Sequence, residues 1–285
     1  MATVHDFYRL SKPGIVYGNV LHAVAGSLFA IAAYGHGWQL LVWNAIGVAL
    51  VIASACVVNN VGDVSLDIHM ARTRSRPSVT GVVPRNIAIL YAILLAIGGF
   101  GVLLIGVNLL VFWLGVISYF RYTVIYAYAK RQSPLGTLVG TVPGALPIVA
   151  GYVAVSGTFD AAAIGLGLML VAWQMVHFYA IAIFRKDEYR KAGVPVISAK
   201  KTFHQIKRSM LAWTAVYIVI IVGLTAARST PIVPSIILLI GAFYWLGVIA
   251  RPVQPDATWA RKVFGVSLLL SIVMLVTGAI AIVVA

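Results

Sequence analysis

The chain has 285 residues, 61% of them hydrophobic and only 10% charged, and its mean hydropathy of +0.99 lies far outside the soluble globular range. Seven Asp and Glu against 21 Lys and Arg give a formal net charge of +14. These figures exclude a water-soluble enzyme. The single cysteine, Cys56, excludes an intramolecular disulfide and a cysteine-rich metal site.

Apolar stretches long enough to cross a hydrocarbon core of about 30 Å run over 15–34, 39–62, 86–106, 108–128, 137–156, 161–184, 207–226, 231–250 and 263–284. They predict an all-α, polytopic protein with about nine transmembrane helices, forming one integral-membrane domain over 1–285. The first dozen residues lead directly into the first span, with neither the small-residue cleavage pattern of a secretory signal nor the Arg/Ser richness of a transit peptide. His22 inside that span reads as a packing residue, and Cys56 in the second span as filler.

The second span leaves the membrane through NNVGDVSLDIHMARTRSRP, residues 59–77, the most informative run in the chain. Asn59, Asp63 and Asp67 recur every four residues, so their oxygens share one helix face. Asn60 offers a further oxygen. Magnesium prefers hard oxygen ligands and is commonly held by one or two carboxylates together with substrate phosphates. This face is therefore a candidate Mg²⁺ site, and Arg72, Arg74 and Arg76 bring the positive charge that a diphosphate needs. A solvated turn whose acids pair with neighbouring arginines is the competing reading.

The fourth span ends in YAYAKRQS, where Tyr126 and Lys130 lie four apart and Arg131 follows. The Lys–Arg pair reads either as a topology anchor or as a phosphate contact. The sixth span runs into WQMVHFYAIAIFRKDEY. There His177, Phe184 and Glu188 follow i, i+7, i+11 along one stripe of a continuing helix, with Asp187 and Tyr189 beside Glu188. His177, about two and a half turns in from the acids, is suited to binding a substrate carboxylate, to handling a proton, or to contact with a metal-bearing macrocycle. Asp63, Asp67, His177 and Glu188 are the catalytic candidates. The two acid-bearing helix ends predict one shared site, with a metal bridging Asp63 and Asp67 to Asp187 and Glu188.

With the amino terminus on the cytoplasmic side, every Lys and Arg except Arg121 and Arg228 falls in an inside segment, which obeys the positive-inside rule strongly. Topology, and attraction to anionic lipid or substrate on that face, account for the net charge without a nucleic-acid partner.

Five stretches resemble the intramembrane prenyltransferases of the UbiA superfamily over nearly the whole length. They are SKPGIVYGN, the 59–77 run, YAKRQSPLGTLVGTVPGALPIVAGYVAVSG, WQMVHFYAIAIFRKDEYRKAGVPVI and WARKVFG. The WQxxHxYAIAIFR and KRxSxxGTLxG patterns resemble its haem branch in particular. The resemblance implies a UbiA-like helix bundle that moves a farnesyl group, with Mg²⁺ assistance, from farnesyl diphosphate to a vinyl group of haem B. It also implies a multi-pass enzyme of the bacterial inner membrane with cytoplasmic active-site loops. Its product would serve terminal oxidases, with haem A synthase or an oxidase assembly as a partner.

Carried onto this sequence, the resemblance makes Asn59, Asp63 and Asp67 the first Mg²⁺–diphosphate motif, with Arg72 and Arg76 beside it. Lys130 and Arg131 then contact phosphate, His177 faces the haem, and Glu188 stands where the haem branch more often has Asp. Ser65 replaces an additional acid common in the family. Ile183, four before Asp187, removes the paired aspartates of the superfamily's second site. A UbiA-type enzyme acting on a quinone precursor is the nearest alternative. An organic-anion transporter is a weaker one, because transport sites lie near the bilayer midplane and these acids gather at helix ends.

Overall fold

The computed structural model describes residues 2–251 and 256–285, and every regular element among them is helical. In chain order they are α1 (Val4–Leu10), α2 (Pro13–Tyr34), α3 (Trp38–Gly62), α4 (Val64–Asp67), α5 (Pro77–Thr80), α6 (Arg85–Gly106) and α7 (Leu109–Phe120). A π-helix over Arg121–Tyr126 joins α7 to α8 (Ala127–Gln132). Then follow α9 (Gly136–Ser156), α10 (Ala161–Phe184), α11 (Lys186–Lys191), α12 (Ile197–Lys200), α13 (Phe203–Ala226), α14 (Ile232–Ala250) and α15 (Ala257–Val284). Among the described residues nine helical units are long and apolar enough to span a membrane, and Leu109–Gln132 counts as one of them.

The spans agree with the sequence reading except at the end of the fourth, which runs on to Gln132 instead of stopping at 128, and at starts that polar caps extend. Thr202 and Gln205 form a capping box that begins α13 at Phe203, and the Asp256 carboxylate accepts from the Thr258 and Trp259 amides at the head of α15. Asn108 and Asp160 cap α7 and α10 in the same way. Two prolines, Pro143 and Pro147, lie inside α9. Pro147 has no N–H to give the carbonyl of Pro143, and Ser118 Oγ donates to that carbonyl at 3.2 Å instead, so this acceptor is met inside the hydrocarbon.

Helices α2, α9, α10 and α15 pack in a closed ring, each on the next, with α3, α6 and α7 against one side and α13 and α14 against the other. Small residues set the closest approach. A Cβ on Gly26 would run into the Ile148 carbonyl and one on Gly151 into that of Ala23, while Ser27 Oγ donates to the Gly151 carbonyl at 3.0 Å. Apolar side chains such as Ile97, Ile105, Val219 and Ile240 point outward and stay exposed, which suits a lipid-facing surface.

Candidate active site

A cavity of about 670 Å³ opens between α2, α3, the π-helix, α9, α10 and α15. Its polar end is built by the 59–77 run. Helix α3 stops at Gly62, yet the Asp63 amide donates to the Asn59 carbonyl (2.9 Å) and the Asp67 amide to the Asp63 carbonyl (2.8 Å). The four-residue spacing thus survives the break, and Asn59, Asp63 and Asp67 all face the cavity, each under a tenth exposed.

Each acid is gripped by cations. Lys130 Nζ donates to Asp63 Oδ2, Arg131 Nη2 reaches Asp63 Oδ1 (3.2 Å) and the Gly62 carbonyl (2.6 Å), and Arg76 Nη1 donates to Asp67 Oδ2 (2.5 Å). Arg72, Arg76, Lys130 and Tyr126 line the same end. Arg131 does not, and acts on the cavity only through Asp63. Lys12 is an addition that sequence reading absorbed as a topology anchor. It heads the first span in a left-handed conformation (φ 52°) that puts its ammonium 2.6 Å from Asn59 Oδ1. Burial pushes this lysine down to about 8, the nearby Asp63 opposing the shift.

Three expectations need correction. Asn60 is not a cavity residue, because it points one position round the helix from Asn59, where its amide donates to the Leu10 carbonyl at 2.7 Å. Asp187 and Glu188 do not face the cavity either. Arg185 breaks the helix between α10 and α11 (φ −106°, ψ 10°), so the His177–Phe184–Glu188 stripe is interrupted. Glu188 then pairs with Arg185 (2.6 Å) and the exposed Asp187 with Arg190 (3.1 Å). The break turns Tyr189 to the cavity in their place. Burial raises its phenol, the largest opposing effect coming from Arg72, and keeps it a neutral hydrogen-bonding group. In this arrangement Asp187 and Glu188 pair with neighbouring arginines instead of facing Asp63 and Asp67 across the cavity.

Among the described residues no three of His, Cys, Asp and Glu converge to hold a metal by themselves. Asp63 and Asp67 still fit Mg²⁺, whose usual site combines one or two carboxylates with waters and substrate phosphates. The wall beyond the acids is apolar and aromatic. Tyr122 and Tyr126 stack at 5.4 Å from the π-helix, and Val51, Ile52 and Tyr119 continue the lining. His177 lies seven residues before the end of α10, about 10 Å inside. It lines the cavity with Trp173, Phe178 and His22.

A carboxylate and cation cluster at the membrane face, over an apolar pocket closed by helices, defines a site that takes an anionic headgroup with a lipidic tail. Residues 19–283 match the UbiA prenyltransferase family, and the chain belongs to that family. At finer grain the chain is similar to the protohaem IX farnesyltransferase of Salmonella arizonae, 38% identical over 268 residues that cover 93% of this chain and 90% of the relative. The protohaem IX farnesyltransferase of Klebsiella pneumoniae is likewise 38% identical, with 91% and 88% covered. Among solved structures the fold is shared with a digeranylgeranylglyceryl phosphate synthase (TM-score 0.77, 17% identity, 98% of both chains). It is shared too with an Archaeoglobus fulgidus UbiA homologue bound to GPP and Mg²⁺ (TM-score 0.72, 15% identity, 98% of this chain and 99% of that one).

Proposed function

We propose that this protein transfers the farnesyl group of farnesyl diphosphate to a vinyl group of haem B, giving haem O, at a site on the cytoplasmic face of a bacterial inner membrane. The observation that carries the reading is the joining of the Asp63/Asp67 cation cluster to an apolar cavity that also holds His177. The identity to protohaem IX farnesyltransferases supports the choice of acceptor.

Lys12, Arg72, Arg76 and Lys130 bind and orient the diphosphate, with Arg131 steadying Asp63. Asp63 and Asp67 would hold Mg²⁺, which when bound neutralises charge developing on the leaving diphosphate. Loosening of Lys130 and Arg76 from the carboxylates as phosphate arrives would release both cations to the leaving group. The apolar wall excludes water while the allylic C–O bond breaks, and the Tyr122 and Tyr126 ring faces stabilise positive charge on the prenyl chain. The prenyl carbon then bonds to the terminal vinyl carbon. A water adds to the cation left beside the porphyrin ring and loses a proton, so farnesyl diphosphate, haem B and water give haem O, diphosphate and a proton.

Purified protein in liposomes, given Mg²⁺, farnesyl diphosphate and either haem B or a quinone precursor, tests the reading by product mass. Haem O in the first arm alone is expected. Prenylated quinone precursor without haem O would transfer the activity to another branch of the family, and no product in either arm would remove it.

A further inference from the structure

The cavity has two sides of different chemistry. One is made by α3, the π-helix and α9, and its lining is apolar and aromatic, with Ile52, Ala55, Cys56, Tyr122 and Tyr126 in it. The other is made by α2, α10 and α15, where Asn19, His22, Gln174, His177 and Ser271 face the cavity. An alkyl chain laid on that second side would displace water from these polar groups and offer them no hydrogen bond. The first side makes no such demand, so it is the one suited to a prenyl chain.

That side ends at a built floor. The lining of α3 stops at Val51 and that of α7 at Ser118 and Tyr119. One turn further from the acids, Leu103 of α6 fills the gap between α3 and α7, where a Cβ added to Gly47 or to Gly115 would meet its methyl groups. Val51 is pressed on α6 as well, since a Cβ on Gly99 would lie 2.8 Å from Val51 Cγ2. The Tyr119 hydroxyl lies 3.1 Å from Ser54 Oγ, which itself donates to the Ala92 carbonyl of α6 at 2.7 Å, and Phe100 meets the Tyr119 ring edge-on at 5.7 Å. Both floor residues are thus fixed by close packing on α6.

Lys12, bonded to Asn59 Oδ1, brings the diphosphate end of the site down to the level of Asn59. Asn59 and Val51 are about 12 Å apart along the axis of α3. A farnesyl chain, extended at about 1.2 Å per bond, is about 13 Å long, and a geranylgeranyl chain is about 18 Å. The first matches the depth and the second overruns it by about 5 Å. We propose that Val51 and Tyr119 close the prenyl side of the cavity and set the length of chain it takes, admitting farnesyl and refusing geranylgeranyl. This rests on the acid cluster being the diphosphate site, and it adds the residues that measure the chain.

The test gives purified protein in liposomes geranyl, farnesyl and geranylgeranyl diphosphates with haem B, and separately measures the affinity of a non-hydrolysable analogue of each. The wild type is expected to favour farnesyl over geranylgeranyl by at least about 10-fold in kcat/KM and in affinity, the scale on which apolar pockets discriminate by size. Val51→Ala and Tyr119→Ala should each open the floor and cut that preference by about 10-fold. Ala55→Phe, one turn nearer the acids on the same face of α3, should fill the space and shift the preference to geranyl diphosphate. A gain of a longer or shorter chain cannot come from a damaged fold, and binding of any one analogue shows that a variant is folded. Equal affinity of the wild type for the two longer chains would overturn the floor. The chain would then leave past Leu268 and Ile272, which line the cavity and also face lipid. An unchanged preference in both Val51→Ala and Tyr119→Ala would overturn it too. If the wild type binds none of the analogues, the diphosphate reading fails and the floor with it. If the analogues bind in the expected order but no haem product forms, the acceptor is misassigned and the floor stands.

Discussion

Asp63 and Asp67 do two things at once, and their variants should show both. Asp63→Ala and Asp67→Ala are each expected to lower Mg²⁺-dependent turnover by at least about 100-fold, the scale of losing an electrostatic stabiliser of the transition state. Membrane insertion should be intact, and unchanged turnover in both purified variants would end the metal assignment. Asp63→Ala also strands the Lys130 ammonium, whose side chain is 13% exposed. Removing one partner of a buried pair costs about 3–5 kcal/mol, and Asp63→Asn takes away the same counter-charge, so both variants should melt below the wild type in detergent. Lys12→Met and Arg72→Ala each remove a charge-assisted contact of about 1.5–3 kcal/mol. Each should raise KM for farnesyl diphosphate by about 10- to 100-fold. A normal KM in Lys12→Met would return that lysine to the role of a topology anchor. The difference between Asn59 and Asn60 was not legible in the sequence. Neighbouring amides on a helix point about 100° apart, and only the position of α1 shows that Asn60 is needed to hold Leu10 rather than to face the cavity.

The elements carry their own constraints. Helices α2 and α9 meet backbone to backbone at Gly26 and Gly151, where an added Cβ would strike a carbonyl that cannot swing aside. Gly151→Val should therefore force the two helices apart, at about 1–3 kcal/mol or more for overpacking. The checks are a lower melting temperature in detergent and weaker binding of the diphosphate analogue, because α2 carries Lys12 at its head. Wild-type melting would mean that the contact is looser than drawn. Hydropathy located the spans well but was blind to the π-helix over Arg121–Tyr126, since a wider helical turn leaves composition untouched. That segment brings Tyr122 and Tyr126 into one stacked pair on the cavity wall. The break at Arg185 was equally hidden, because RKDEY is as good a helix as a turn. It decides whether Glu188 or Tyr189 faces the cavity.

Over the whole molecule, orientation can be tested apart from chemistry. In a Cys56→Ala background, single cysteines at Ser75 and Ala199, both exposed on the face of the acid cluster, should resist an impermeant thiol reagent in intact cells. One at Ala227, on the opposite face, should react. The reverse pattern would invert the protein and place the diphosphate site outside. This arrangement follows from the distribution of Lys and Arg, which is a property of the chain rather than of its packing.

By itself the sequence determined the membrane environment, the number of the spans, the clustering of Lys and Arg in alternate connecting segments, and the acid face of Asn59, Asp63 and Asp67. Each of these rests on composition or on a period within one helix, and hydrocarbon enforces both because backbone polar groups must be met inside the segment. What only the tertiary structure decided is which side chains from distant helices meet. Lys12 closes on Asn59 across 47 positions, Lys130 on Asp63 across 67, and His22 and His177 share one serine-bearing turn of α15. Helical periodicity says which face a residue occupies but not which helix lies opposite. Inside a bilayer that choice is made by close packing of small residues and by polar groups finding partners, which no local pattern in this chain encodes.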